Sequence, residues 1–188
     1  MKFFYCFHFQ KNIFYFTFMR ITFDFTGKIS TKNKKGNFLM TLSQKEKDLL
    51  KDLKDQEQLC IDKYTKHASC ANDQQLKSLF EQIAQTERDH LSTVTQIENG
   101  TCPSVNGSAK QMPTFTATYT VAETPQKQSD CFLCSDLLTG EKHVSHLYDT
   151  CIFEFSDECL RNTLNHIQKE EQEHGKMIYD YMNVNSMY

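Results

Sequence analysis

Two short runs, Glu87-Arg88-Asp89-His90 and Glu171-Gln172-Glu173-His174, each carry a Glu and a His three residues apart. A further glutamate, Glu57 or Glu141, lies thirty residues before each run. On a helix, residues i and i+3 project from the same face. Two helices bearing Glu-x-x-His, with two more that each donate a single Glu, form the ligand set with which a four-helix bundle holds a di-iron or di-manganese centre. The predicted ligands are therefore Glu57, Glu87, His90, Glu141, Glu171 and His174, and the predicted cofactor is two divalent metal ions. A lone Glu or His in a helical seam usually keeps its head in water. Four carboxylates packed in one core layer would instead cost several kcal/mol each or take up protons, unless cations neutralise them. Oxygen and imidazole donors suit iron or manganese, with zinc as a substitute.

The elements that must position these residues can be read from spacing. Two antiparallel helices bring residues to one height when those residues are equally far from the turn. The midpoint of 57 and 87 is Asn72, and that of 141 and 171 is Ser156. Both are N-cap types, each followed by an Asp, so each hairpin is expected to turn about fifteen residues, roughly 22 Å, from its ligands. Shifting the chain by 84 residues matches Leu49 to Leu133, Leu53 to Leu137, Tyr64 to Tyr148, Leu76 to Leu160 and Ile83 to Ile167, as well as the glutamates and histidines. Shared leucines are expected of any two amphipathic helices, but coincident Glu, Tyr and His are not. The reading is two copies of one helical hairpin.

Apolar periodicity predicts helices over about 44–70, 73–98, 130–155 and 157–182. Ser43-x-x-Glu46 is a capping box for the first. The apolar seam is expected to include Leu49, Leu91, Leu138 and Ile152. Residues 99–128, with Pro103, Gly107, Pro113 and Pro125, read as a linker. A connection this long fits one crossover along a bundle, as ferritin-like folds have. The expected fold is all-α, a ferritin-like four-helix bundle of two hairpins joined by that crossover. Gly175 falls inside the last helix, where it is unfavourable by about 1 kcal/mol against Ala.

Residues 1–39 differ from the rest: they hold ten of the fifteen Phe, seven of the 21 basic residues and one of the 24 acidic ones. Lys11, Asn12, Arg20 and Asp24 interrupt the apolar runs short of the ~20 residues a membrane span needs, and no small-residue cleavage site follows. Alternating Phe and Tyr could form a strand, but one without partner strands. The composition matches translated A/T-rich DNA, and Lys35-Gly36 ahead of Met40 is compatible with an A-A-G-G ribosome-binding sequence. We therefore expect translation to start at Met40, with 1–39 outside the native protein or disordered. Residues 40–188 then hold 14 basic and 23 acidic residues, a net charge of −9, which argues against nucleic acid or an anionic membrane as partner.

Tyr64 and Tyr148 each lie seven residues past a predicted ligand glutamate. They are either core residues or phenols bonded to the carboxylates, since a buried hydroxyl needs a partner. Of the eight cysteines, only Cys131 and Cys134 form a close pair. Lacking a second such pair, they are read as the first apolar turn of the third helix or as a redox-sensitive dithiol, not as a zinc or rubredoxin-type site. Without a signal peptide the thiols start free in a reducing cytoplasm.

Residues 139–182, TGEKHVSHLYDTCIFEFSDECLRNTLNHIQKEEQEHGKMIYDYM, with a short tail ending Ser-Met-Tyr, resemble the spore coat protein F family of endospore-forming bacteria. Residues 42–100 resemble the helical hairpin of its clostridial members. Gln168-Lys169-Glu170-Glu171-Gln172-Glu173-His174 is the strongest marker. The resemblance implies a ferritin-like fold, a place in the protein coat around the spore, and other coat proteins as partners, with a homodimer as a further option. Two function classes follow. One is a structural coat component, cross-linked through Cys131, Cys134 and Tyr188, with Tyr179 and Tyr181 in the same tail. The other is a di-metal redox enzyme of catalase, peroxidase or ferroxidase type that protects the spore from oxidants. Glu170 and Glu173, off the seam, are expected to matter little for metal binding.

Overall fold

The computed structural model describes residues 41–104 and 112–188, together with the backbone of Ile21–Phe23 and Ile29–Thr31. The chain divides into two units at the Thr41/Leu42 boundary. In the first, β1 (Ile21–Phe23) and β2 (Ile29–Thr31) pair antiparallel, with Ile21 opposite Thr31, Thr22 opposite Ser30 and Phe23 opposite Ile29. The Phe- and Tyr-rich residues before β1, 1–20, lie outside the described residues.

The second unit is four long helices: α1 (Gln44–Cys70), α2 (Gln74–Glu98), α3 (Pro125–Glu154) and α4 (Glu158–Val184). α1 packs chiefly on α2, and α3 on α4, with lighter α1–α3 and α2–α4 contacts. The apolar seams meet in one core, in which Leu50, Leu53, Leu76, Phe80, Ile83, Val94, Ile97, Val144, Leu164 and Ile178 are fully or almost fully buried. Burying such side chains contributes about 1.5–3 kcal/mol each. Leu49, Leu91, Leu138 and Ile152, placed inward by periodicity, sit at the edge of the core and are only partly buried.

The Ser43/Glu46 capping box forms as expected: Ser43 Oγ accepts from the Glu46 N–H and Glu46 Oε2 accepts from the Ser43 N–H. Elsewhere the sequence reading of the ends needs correction. The caps of α2 and α4 are Asp73 and Asp157, each accepting from the first turn, and not Asn72 and Ser156. Asn72 and Ser156 are engaged across the bundle instead. Asn72 gives its N–H and side-chain amide to Asp130 Oδ1, and Ser156 gives its N–H to Glu46 Oε1. α3 starts five residues earlier than expected, at Pro125, with Thr124 as its cap. Pro at N1 suits a helix start because the missing N–H would be unbonded there anyway. Pro125 therefore opens the helix and does not belong to the linker.

The connection between α2 and α3 is tied down where it approaches α3. Asn185 Oδ1 accepts from the N–H groups of Thr118 and Tyr119, and the Tyr119 hydroxyl donates to Asp130 Oδ2. Cys102, near the start of this connection, is disulfide-bonded to Cys159 in the first turn of α4. Among the described residues no helix is long and apolar enough to cross a membrane.

Candidate metal centre

The four helices bring all six predicted residues together midway along the bundle. α1 supplies Glu57, α2 Glu87 and His90, α3 Glu141, and α4 Glu171 and His174. Glu57, Glu87 and Glu171 have no exposed surface, and His90, His174 and Glu141 keep 2%, 3% and 4%. They form two groups of four, Glu57–Glu87–His90–Glu171 and Glu87–Glu141–Glu171–His174, with one atom from each member within 4.8 Å of the others. Glu87 and Glu171 belong to both groups. His90 Nδ1 lies 3.0 Å from Glu171 Oε1, 3.4 Å from Glu87 Oε2 and 3.7 Å from Glu57 Oε2. His174 Nδ1 mirrors this, at 2.9 Å from Glu87 Oε1, 3.4 Å from Glu171 Oε2 and 3.7 Å from Glu141 Oε2. The two imidazoles stack, 5.7 Å apart at 27°.

Despite these short separations, the inner atoms are not satisfied by hydrogen bonds. Among the described residues, nine buried side-chain nitrogen and oxygen atoms have no hydrogen-bond partner, and all but His67 Nδ1 belong to this cluster. They are Glu57 Oε2, both oxygens of Glu87 and of Glu171, Glu141 Oε2, and Nδ1 of both histidines. Buried polar groups are normally bonded, so concentrated exceptions call for an explanation. Each of the two groups offers oxygen and imidazole donors that could hold a metal ion.

The outer atoms are held. Tyr64 donates its hydroxyl to Glu141 Oε1 and Tyr148 donates to Glu57 Oε1, so each phenol crosses to the other half of the bundle. His90 Nε2 lies 3.1 Å from Glu170 Oε2, which also stands 3.4 Å from His166 Nε2. Glu170 therefore supports the site, contrary to its off-seam placement in the sequence. The only signal that could have found it is its position beside Glu171, a turn angle away from the seam. Glu173 pairs with Lys169 at 3.3 Å.

Electrostatics divide the carboxyls. Burial, and then the charge of Glu171, push Glu57 well above the ordinary carboxylate range. Burial pushes Glu141 up to about 8 against the pull of His174, with Glu171 adding to the rise. Burial also opposes ionisation of Glu171 and Glu87, but the two histidines outweigh it and hold both below the usual range. Burial would discharge the histidines, yet the surrounding carboxylates keep His90 and His174 well above 6.5. The surroundings thus favour the charged form of the two histidines and of Glu87 and Glu171, and the protonated form of Glu57 and Glu141.

The cysteines and tyrosines read as cross-linking groups are unequal. Cys131 is partly exposed, and Tyr188 is exposed and edge-on to Tyr179. Cys134 is fully buried, and burial pushes its thiol up. Tyr181 is not in a tail: it is buried within α4 and donates to Asp73 Oδ2 at 2.7 Å.

No curated protein and no solved structure matches this chain. Residues 129–188 match the family model described as Coat F domain, a span that takes in most of α3, the whole of α4, and Glu141, Glu171 and His174 with them. Over that span, 60 of the 188 residues, the chain is similar to the Coat F domain.

Proposed function

We propose that this chain is a structural component of the bacterial spore coat, a ferritin-like bundle of two helical hairpins joined by a long crossover, with two divalent metal ions held among Glu57, Glu87, His90, Glu141, Glu171 and His174. The Coat F match supports the coat role. The preference of α1 for α2 and of α3 for α4 supports the hairpins. The single observation that carries the metal reading is the set of eight unpartnered buried atoms in two groups that share Glu87 and Glu171. Bound iron or manganese would neutralise the carboxylates and could supply one-electron chemistry. The chain itself does the positioning. Tyr64 and Tyr148 fix Glu141 and Glu57, and Glu170 engages His90 Nε2 so that Nδ1 is left for the metal.

The test is metal analysis of the purified chain loaded anaerobically with ferrous or manganous ion. About two ions per chain are expected, as this ligand set binds in other bundles. The melting temperature should rise with loading, because only the folded state binds. Failure to bind at any pH tested would leave the coat role without the metal.

The second reading, a di-iron or di-manganese redox enzyme, draws on the position of Glu141, which also lines a surface groove of about 220 Å³. A peroxide-consumption assay on the loaded protein separates the two. Covalent attachment to other coat proteins, if it occurs, is assigned to Cys131 and Tyr188 before the buried Cys134. Non-reducing extracts of spores should then show ladders that collapse with thiol reductant or, for tyrosine links, persist.

A further inference from the structure

A cluster this buried needs a path to solvent. Two hollows reach it from opposite sides. On the α2–α4 side, a hollow of only about 20 Å³ lies against His174 and Glu170, lined also by Thr86 and Met112. On the α1–α3 side, a groove of about 220 Å³ is lined by Gln56, Cys60, Tyr64, Gly140, Glu141 and His143. Glu141 is the most exposed of the six cluster residues and the only one in this groove. One of its oxygens is fixed by Tyr64, while the other, Oε2, is buried and without a hydrogen-bond partner. Gly140 has no packing reason to be glycine. A Cβ there would meet only Lys63 Nζ at 3.8 Å, an ordinary contact, and the backbone is not left-handed. A glycine inside a helix costs stability relative to alanine. What its missing side chain does provide is an open wall beside Glu141.

We propose that the α1–α3 groove is the route by which divalent cations enter the cluster, with Glu141 as the carboxylate that receives them and Gly140 keeping the mouth open. This rests on the metal reading above. The lining has the chemistry for cation passage, because a thiol at Cys60, an imidazole at His143, an amide at Gln56 and the Glu141 carboxylate offer successive neutral or anionic donors. The one cation on the wall, Lys63, is paired with Asp136 at 2.9 Å.

The experiment follows cobalt(II) uptake by the full chain, using its visible absorption, in stopped flow. Gly140→Phe, which fills the mouth, should slow uptake by about tenfold, as about 1.4 kcal/mol added to a barrier does, with the final amount of cobalt unchanged. Gly140→Ala, which adds a single methyl to the wall, should slow uptake less than Gly140→Phe does. Leu59→Trp narrows the same mouth from a half-exposed position on α1 and should also slow uptake, so the result does not depend on Gly140→Phe folding well. Thr86→Phe, which fills the opposite hollow, should leave the rate unchanged. If Thr86→Phe slows loading while Gly140→Phe and Leu59→Trp do not, the entry route is wrong but the metal site stands. If wild type takes up no cobalt, both fall.

Discussion

The half of the bundle made by α1 and α2 and the half made by α3 and α4 agree in their interior and disagree at their rims. Under the 84-residue offset, Tyr64–Glu141 becomes Tyr148–Glu57, and both hydrogen bonds exist. Glu46 bonded to Ser156 becomes Asp130 bonded to Asn72, and both exist. The caps Asp73 and Asp157 correspond as well. The equivalent of Glu170, however, is Thr86, so His90 has a carboxylate behind it where His174 faces a small hollow. On the other side, Gly140, Cys60 and Lys63 correspond to Gln56, Val144 and Leu147. Glu141 meets a groove, whereas its equivalent Glu57 is completely covered. Contacts that must satisfy buried polar atoms are repeated, and those that face solvent have diverged. The cluster is therefore nearly two-fold in its buried Glu and His residues and unequal in the two hollows that reach it.

The most drastic way to break this near-symmetry is to remove the carboxylates common to both groups. Glu87→Ala combined with Glu171→Ala should abolish metal uptake, while Glu57→Ala and Glu141→Ala should each leave about one ion per chain. Metal analysis of the purified variants decides it. Equal losses from Glu57→Ala and Glu87→Ala would show that the two groups are not separable.

Next in size is the pair that crosses between the halves. Asp130 receives four hydrogen bonds, from the Asn72 N–H and amide, the Asp73 N–H and the Tyr119 hydroxyl. Glu46 receives the Ser43 N–H and the N–H and hydroxyl of Ser156. Deleting a buried acceptor strands its donors, so Asp130→Ala should destabilise by about 3 kcal/mol and Glu46→Ala by about 2. Denaturant unfolding measures both. A smaller loss for Asp130→Ala would mean that the connection before α3 relaxes when untied.

These two carboxylates also show what could be read from the chain and what could not. Helix positions, the Ser43–Glu46 cap and the six cluster residues are legible because each repeats at three- to four-residue or 84-residue spacing. Glu46 and Asp130 share that offset and so left a signal, but single-helix patterns assign a carboxylate near a helix start to capping alone. Their second duty, across the bundle, moved the caps to Asp73 and Asp157. Glu170 left no such signal, since its role depends on the approach of α2 to α4 and its equivalent is Thr86. The Cys102–Cys159 bond joins residues 57 apart through a linker with no periodicity, which no spacing argument reaches.

A smaller effect tests the divergence behind the histidines. Glu170→Ala removes the carboxylate that engages His90 Nε2 and should weaken metal binding by about tenfold without changing the number of ions bound. Thr86→Ala, at the equivalent place behind His174, should have almost no effect. Calorimetric titration with manganese reads both. Equal losses would mean that the two histidines are supported alike through some other contact.

The smallest effect is expected in acid, from Glu46 alone. Burial tends to raise its pKa, but the N–H groups of Ser156 and Ser43, with both serine hydroxyls, favour the carboxylate and bring it below the ordinary 4.5. A carboxyl whose pKa is lower folded than unfolded stabilises the fold at all pH values above the unfolded value. That contribution is lost as pH falls through the folded one. Glu46→Gln cannot ionise, so wild type should exceed it in stability by a constant margin near neutrality, and the margin should shrink once the pH drops below 4.5. Taking the difference between the two proteins cancels the titration of the metal cluster, which both share. A margin that stays constant down to the acid limit of folding would mean that Glu46 acts through its shape and not its charge, and that the link between the halves needs only a hydrogen-bond acceptor at this end.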